Sequence, residues 1–172
     1  AEIGDTLTLH PDVAKIGFTG SIPAARKIMA NAAQGIKNVT LELGGNDAAI
    51  IMDDADLTEE SMQRMARGTF AATGQVCMAI KRVYVHERIA SQFMTAFSNV
   101  VDKYVIGDGL MPGVTMGPMH SQKGRNDALA LIDDSKRRGA SITSLGKIAN
   151  DVDFSEGYFV RPTQILMMML HS

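Results

Sequence analysis

Short apolar runs alternate along this chain with longer stretches whose apolar residues recur at helical spacing, the pattern of an α/β protein. Lys15-Ile16-Gly17-Phe18 reads as a strand ending at Thr19-Gly20-Ser21. Ser21 offers an N-cap and Pro23 suits a first helical turn. Ile22, Ala25, Ile28, Met29 and Ala32 then share one helical face until Gly35 stops it. Residues 39–43 predict a strand running into Gly44-Gly45. Residues 48–52 are continuously apolar, as in a strand buried on both faces. Leu57, Met62, Met65, Ala66 and Phe70 mark a helix that Gly74 breaks just before Cys77.

Residues 82–86 predict another strand, and Ile89, Phe93, Met94, Phe97 and Val101 the helix after it. A Gly- and Pro-bearing loop over 107–118 leads to a helix over 121–138, and Gly139-Ala140-Ser141-Ile142 turns into a strand. The last strand covers 158–166, where Pro162 confines it to an edge or splits it in two. Repeats, low-complexity tracts and linkers are absent from the pattern.

The 172 residues suffice for one filled domain, or one domain and part of a neighbour. Lys plus Arg number 17 against 19 Asp plus Glu, a near balance that gives no reason to expect nucleic acid or an anionic membrane as partner. The longest strongly apolar run, residues 165–170, is far short of the ~20 residues a membrane helix needs. The start, Ala1-Glu2-Ile3-Gly4-Asp5, lacks the basic and apolar regions of a signal peptide. The single cysteine forms no internal disulfide and suits a reducing interior, so a soluble cytoplasmic protein is expected.

Cys77 has two readings: a small buried hydrophobe, or a thiol presented in the turn after the Gly74 break, where a lowered pKa would make it a nucleophile. Glu42, between Leu41 and Leu43, faces away from both, onto either a solvated face or a cleft. The glycines after it favour a tight strand end, where α/β ligand sites form and partial burial would suit a general base. Gly20 and Ser21 open a helix directly after a strand, so a phosphate could rest on that first turn, with Ser21 as cap, contact or both. Asp53, Asp54 and Asp56 read as helix N-terminal acids rather than a metal site, because a calcium loop's glycine and glutamate are missing. The histidines at 10, 86, 120 and 171 have no metal-ligand spacing, although His86 or His120 could pair with Cys77 in a thiol hydrolase. No Walker A loop is present.

Together these segments resemble the aldehyde dehydrogenase superfamily from about His10 to Thr163. Phe18-Thr19-Gly20-Ser21 resembles its phosphate-contacting helix start, and Leu41-Glu42-Leu43-Gly44-Gly45 the signature strand carrying the general base. Gly74-Gln75-Val76-Cys77 resembles the nucleophile signature, 35 positions beyond Glu42. Asp53-Asp54-Ala55-Asp56, Met116-Gly117-Pro118 and Gly157-Tyr158-Phe159 follow in the expected order. Two positions depart: Asn46 stands where the family often has Lys, and Ala72 where it commonly has Asn.

The resemblance implies a three-layer catalytic domain, a parallel sheet with flanking helices, incomplete at both ends. Residues 1–45 would be a remnant of the dinucleotide-binding domain and 46–172 the catalytic domain. The implied mechanism has the Cys77 thiolate add to an aldehyde carbon, hydride pass to NAD or NADP, and water activated by Glu42 release the acid from a thioester. Gly20, Ser21, Leu43 and Gly44 would contact the cofactor. Much of the family's cofactor site has no counterpart here, so the chain by itself is expected to bind no cofactor and to act as an esterase on small activated esters. The alternatives are part of a working NAD(P)-dependent aldehyde dehydrogenase, and an inactive remnant. The tail from Gln164 departs from the family and reads as a truncated or frame-shifted end. Uncovered apolar faces, with an edge strand over 160–170, predict a homo-oligomer.

Overall fold

The computed structural model describes residues 3–150 and 152–167. It divides into two compact units, Ala1–Asn46 and Asp47–Ser172.

The first unit runs α1 (Gly4–Leu9), β1 (Lys15–Thr19), α2 (Ile22–Gln34), β2 (Asn38–Glu42). β1 and β2 pair in parallel with Ile16 opposite Val39 and Phe18 opposite Leu41. These four residues are half-buried while their neighbours along each strand are exposed, the two-residue alternation that the sequence carries. Ser21 caps α2 by accepting from the Ala24 amide at 3.4 Å, an arrangement that typically contributes about 1 kcal/mol. Ala25 and Ala32 are buried. Ile22 and Met29 share their face in the sequence pattern but are more than half exposed, because the small alanines make the inward stripe narrow. Asn31 of α2 donates to Asp5 and Thr8 of α1, both at 2.9 Å, fastening the two helices. Gly35 ends α2 as expected, but the left-handed residue that completes its cap is Ile36 (φ 49°), whose side chain is 94% exposed.

The second unit contains β3 (Asp47–Ile51), α3 (Glu59–Phe70), β4 (Ile80–Val85), α4 (Ala90–Val101), β5 (Val105–Ile106), α5 (Gln122–Arg137), β6 (Ser141–Ser144), β7 (Lys147–Ile148) and β8 (Thr163–Leu166). Its core lies between α3 and α4. Met62 and Ala66 come from one helix, and Phe93, Phe97, Val100 and Val101 from the other, joined by Leu145. The 93, 97, 100, 101 spacing places all four on one stripe of α4, and each such side chain contributes roughly 1.5–3 kcal/mol on full burial. Phe93 and Phe97 stack with centroids 5.7 Å apart. Thr58 caps α3 and Ser121 caps α5. Among the described residues no helix is long and apolar enough to cross a membrane.

An α/β chain is what the pattern predicts, and among the described residues its strands form four two-stranded pairs. β1–β2, β3–β4 and β5–β7 are parallel, and β6–β8 is antiparallel. All three parallel pairs have a helix in their crossover (α2, α3 and α5), whereas β8 returns to β6 through loop and the short β7. Residues 48–52 do not form a strand buried on both faces. Ile51 packs on the helical core, but Ile50 is 72% exposed, so only one face is covered.

The last strand is also shorter than predicted, because Pro162 cannot donate to a ladder and pairing begins only at Thr163. Tyr158 to Pro162 is irregular but Val160 and Pro162 are buried. Leu145 donates to the Pro162 carbonyl at 2.8 Å, and Ser98 of α4 donates to Gln164 at 3.1 Å, which docks β8. The portion of the predicted edge strand over 168–170, and His171, lie outside the described residues.

Candidate active site

The segment that carries Cys77 is built from a helix end forced into an unusual shape. α3 stops at Phe70, four residues before the glycine expected to break it, and residues Ala71–Gly74 form a 3-10 turn. Within that turn Ala72 (φ 49°), Thr73 (φ 60°) and Gly74 (φ 72°) are consecutively left-handed. Only the glycine adopts this conformation at no steric cost. Two non-glycine residues therefore hold a strained backbone immediately before the thiol.

Three side chains hold the loop that runs from this turn to β4. Thr73 donates to the Gly117 carbonyl at 3.1 Å. Gln75 donates to the Ala72 carbonyl at 3.0 Å and accepts from the His120 amide at 2.8 Å, tying the loop to the segment before α5. Lys81, the second residue of β4, reaches back to the carbonyls of Val76 (2.8 Å), Cys77 (3.2 Å) and Ala79 (3.0 Å). The Ala79 amide donates to the Val76 carbonyl at 3.1 Å, so Cys77 and Met78 are the central pair of a closed turn. Ala79 is buried directly after it.

Cys77 is exposed, which excludes its reading as a small core hydrophobe. Its turn position follows from the anchors on either side, as the Gly74 break suggested. His120 contributes its backbone amide to Gln75, and His86 caps the short helical turn at Glu87–Ile89 by accepting from the Arg88 amide at 3.3 Å. Nearby, a cleft is lined by Arg67, Phe70, Thr73, Tyr104, Thr115 and Gly117. Tyr104 packs edge-on against Phe70 at 5.9 Å, and burial pushes its phenol above the ordinary tyrosine range.

Glu42 ends β2 in the first unit, opposite Thr19, and its carbonyl accepts from the Gly20 amide at 3.0 Å. That bond brings the Gly20-Ser21 helix start and the Glu42 strand end side by side. Glu42 is exposed and Leu43 half-buried, in the alternation expected. Gly44 and Gly45 are not among the left-handed glycines, so the strand end makes no turn that only glycine could adopt. A Cβ at Gly44 would meet nothing within 4 Å, so packing does not demand glycine there. A Cβ at Gly20 would lie 2.5 Å from the Phe18 ring, so local packing accounts for that glycine. At the start of α2 the Gly20, Ala24 and Ala25 amides already have partners and Pro23 has none to give. An anion there is offered the Ser21 hydroxyl rather than a full row of backbone donors.

Asp53 and Asp56 have structural employment. Asp53 pairs with Arg88 at 2.9 Å. Asp56 accepts from the Thr58 amide and hydroxyl, both at 2.9 Å, and from Ser61 at 3.0 Å, bonds that hold its carboxyl below the usual range. Sequence reading did not single out Thr73, Gln75 or Lys81 as anchors. A Lys four positions after the cysteine was visible, but its role depends on the turn between them.

Residues 1–168 match the aldehyde dehydrogenase family. The chain belongs to that family. It is 42% identical over 159 residues to a probable aldehyde dehydrogenase of a Pseudomonas species, covering 92% of this chain and 32% of that protein. It is 40% identical to the betaine aldehyde dehydrogenase of Rhizobium etli, covering 94% and 33%. Among solved structures, an NADP-dependent enzyme of E. coli superposes with a TM-score of 0.85 at 36% identity, covering 95% of this chain and 33% of that one. A Staphylococcus aureus betaine aldehyde dehydrogenase in complex with NAD+ gives 0.81 at 37% identity, covering 95% and 32%. The chain therefore has the family's α/β fold and spans about a third of the length of these relatives.

Proposed function

We propose that this chain carries the nucleophile and base of an NAD(P)-dependent aldehyde dehydrogenase. The observation that supports this most is the exposure of Cys77 at the centre of a braced turn. The thiolate attacks an aldehyde carbon, with the Cys77 backbone N–H available to the developing oxyanion. Glu42 takes a proton from the water that hydrolyses the thioester. Gly20 and Ser21 at a phosphate, and Leu43 and Gly44 at the β2 end, are the residues of this chain that would hold NAD or NADP. That cofactor supplies the acceptor for the hydride. In this reading Ala1–Asn46 belongs to the dinucleotide-binding domain and Asp47–Ser172 to the catalytic domain.

A second reading is favoured by the same exposed thiol. Ester hydrolysis needs a nucleophile, a thioester and an activated water, but no hydride acceptor. A chain of this length would then act on small activated esters.

Two assays on the purified chain, each beside Cys77→Ala, separate the readings. In the first, aldehyde and NAD or NADP are supplied, and NADH or NADPH is followed by absorbance. In the second, p-nitrophenyl acetate is supplied and the quenched protein is weighed. Cysteine-dependent reduced cofactor supports the dehydrogenase reading; an acetyl adduct and turnover without it support the esterase. No adduct and equal rates in the variant would defeat both.

A further inference from the structure

We propose that Lys81 is a positioning residue that holds the Cys77 turn in the shape needed for acylation. The inference rests on the reading of Cys77 as the nucleophile, and its grounds are geometric. The turn over residues 76–79 is closed by a single backbone bond of 3.1 Å, from Ala79 to Val76. Cys77 and Met78 at its tip are both exposed, so packing contributes little to holding them. The Lys81 ammonium donates to three carbonyls of the turn at once, those of Val76, Cys77 and Ala79.

An ammonium has three N–H groups, and the three acceptors match them in number. It is a charged donor, and charged hydrogen bonds are about twice as strong as neutral ones. Carbonyls that point toward one cation orient their peptide planes together, which fixes where the Cys77 amide and side chain leave the backbone. β4 supplies the rigid base: Lys81 is its second residue, and β4 is laddered to β3 with Ile80 opposite Asp47 and Arg82 opposite Ala48. The Gln75 and Thr73 anchors brace the other end of the loop. Lys81 is thus the only one of the three braces that touches the Cys77 peptide itself.

The test compares wild type, Lys81→Met and Lys81→Arg by three readouts. Hydrogen exchange followed by mass spectrometry over residues 75–80 reports opening of the turn. Stopped-flow acylation by p-nitrophenyl acetate reports the oriented thiol, and alkylation by iodoacetamide reports access alone. Expected for Lys81→Met are exchange at Ala79 about tenfold faster, acylation about tenfold slower, and alkylation within about twofold of wild type, at an unchanged circular dichroism spectrum. Lys81→Arg, which keeps a charged multiple donor at this position, recovers most of the acylation rate. Unchanged exchange in Lys81→Met overturns the proposal, and so does faster exchange with unchanged acylation. A Lys81→Met chain that does not fold leaves the decision to Lys81→Arg, in which exchange or acylation as slow or fast as expected for a lost clamp overturns it. If wild type itself is not acylated, the reading of Cys77 as nucleophile fails, and the exchange comparison still decides whether Lys81 clamps the turn.

Discussion

Replacing Ala72 tests whether the strained helix end before Cys77 is held against its own preference. Ala72 lies at φ 49°, ψ 39°, with an exposed side chain, so substitution there removes almost no packing. A left-handed non-glycine residue costs roughly 1–2 kcal/mol. Glycine removes that cost but adds about 0.5–1 kcal/mol of unfolded-state entropy. The expected net effect of Ala72→Gly is a gain of about 0.5–1 kcal/mol. Ala72→Asn, whose short polar side chain tolerates this conformation, gains a smaller amount. Ala72→Val, β-branched at positive φ, loses about 1 kcal/mol or more. With urea slopes of roughly 1–3 kcal/mol per molar, the Gly variant raises the unfolding midpoint by about 0.2–1 M and Val lowers it comparably. Urea titrations of all four proteins by circular dichroism check the order Gly, Asn, Ala, Val. Equal midpoints, or a Gly variant weaker than wild type, would refute the assignment of strain to this position.

Ile36→Gly stabilises the first unit by about 1 kcal/mol for the same reason, since its side chain is 94% exposed in a left-handed cap; the melting temperature reads this, and a fall refutes it. Phe97→Ala, emptying the stripe between α3 and α4, costs about 3–5 kcal/mol by urea unfolding. Gly146→Ala is destabilising by about 2 kcal/mol or more, because a Cβ at φ 76° would meet Ile106 Cδ1 at 2.7 Å and the Tyr104 carbonyl at 3.1 Å. The acid limb of stability bends at low pH. Asp56 is held low by Thr58 and Ser61, and Glu59 by Lys103 at 2.6 Å, so their contributions are complete above the ordinary carboxylate range and vanish as pH falls through the lowered folded values. Asp56→Asn should flatten that limb in a pH series of thermal melts, and an unaltered limb would count against the Asp56 contribution.

The hydrophobic pattern alone located β1, α2, β2, β4, α4 and α5 to within a residue or two, because each shows a single clean period and several are bounded by a capping Ser, Thr or Gly. The motifs around Glu42 and Cys77 were equally legible, since residue identity at fixed spacing is what a family signature is. The short strands β5 and β7 went unseen: two residues carry no period, and only the fold brings Val105 opposite Lys147. Local sequence also could not tell that Ile50 is left exposed, that pairing at Pro162 fails until Thr163, or that the helix ends at Phe70 rather than at Gly74. Those outcomes depend on which neighbours arrive from far along the chain. Thr73 adopts its left-handed shape with Gly117 as acceptor, and Gln75 turns toward His120, each more than forty positions away. Identity named the nucleophile candidate in sequence; its exposure and its bracing are tertiary facts, because a hydrogen-bond partner is chosen by distance in space, which sequence spacing does not encode.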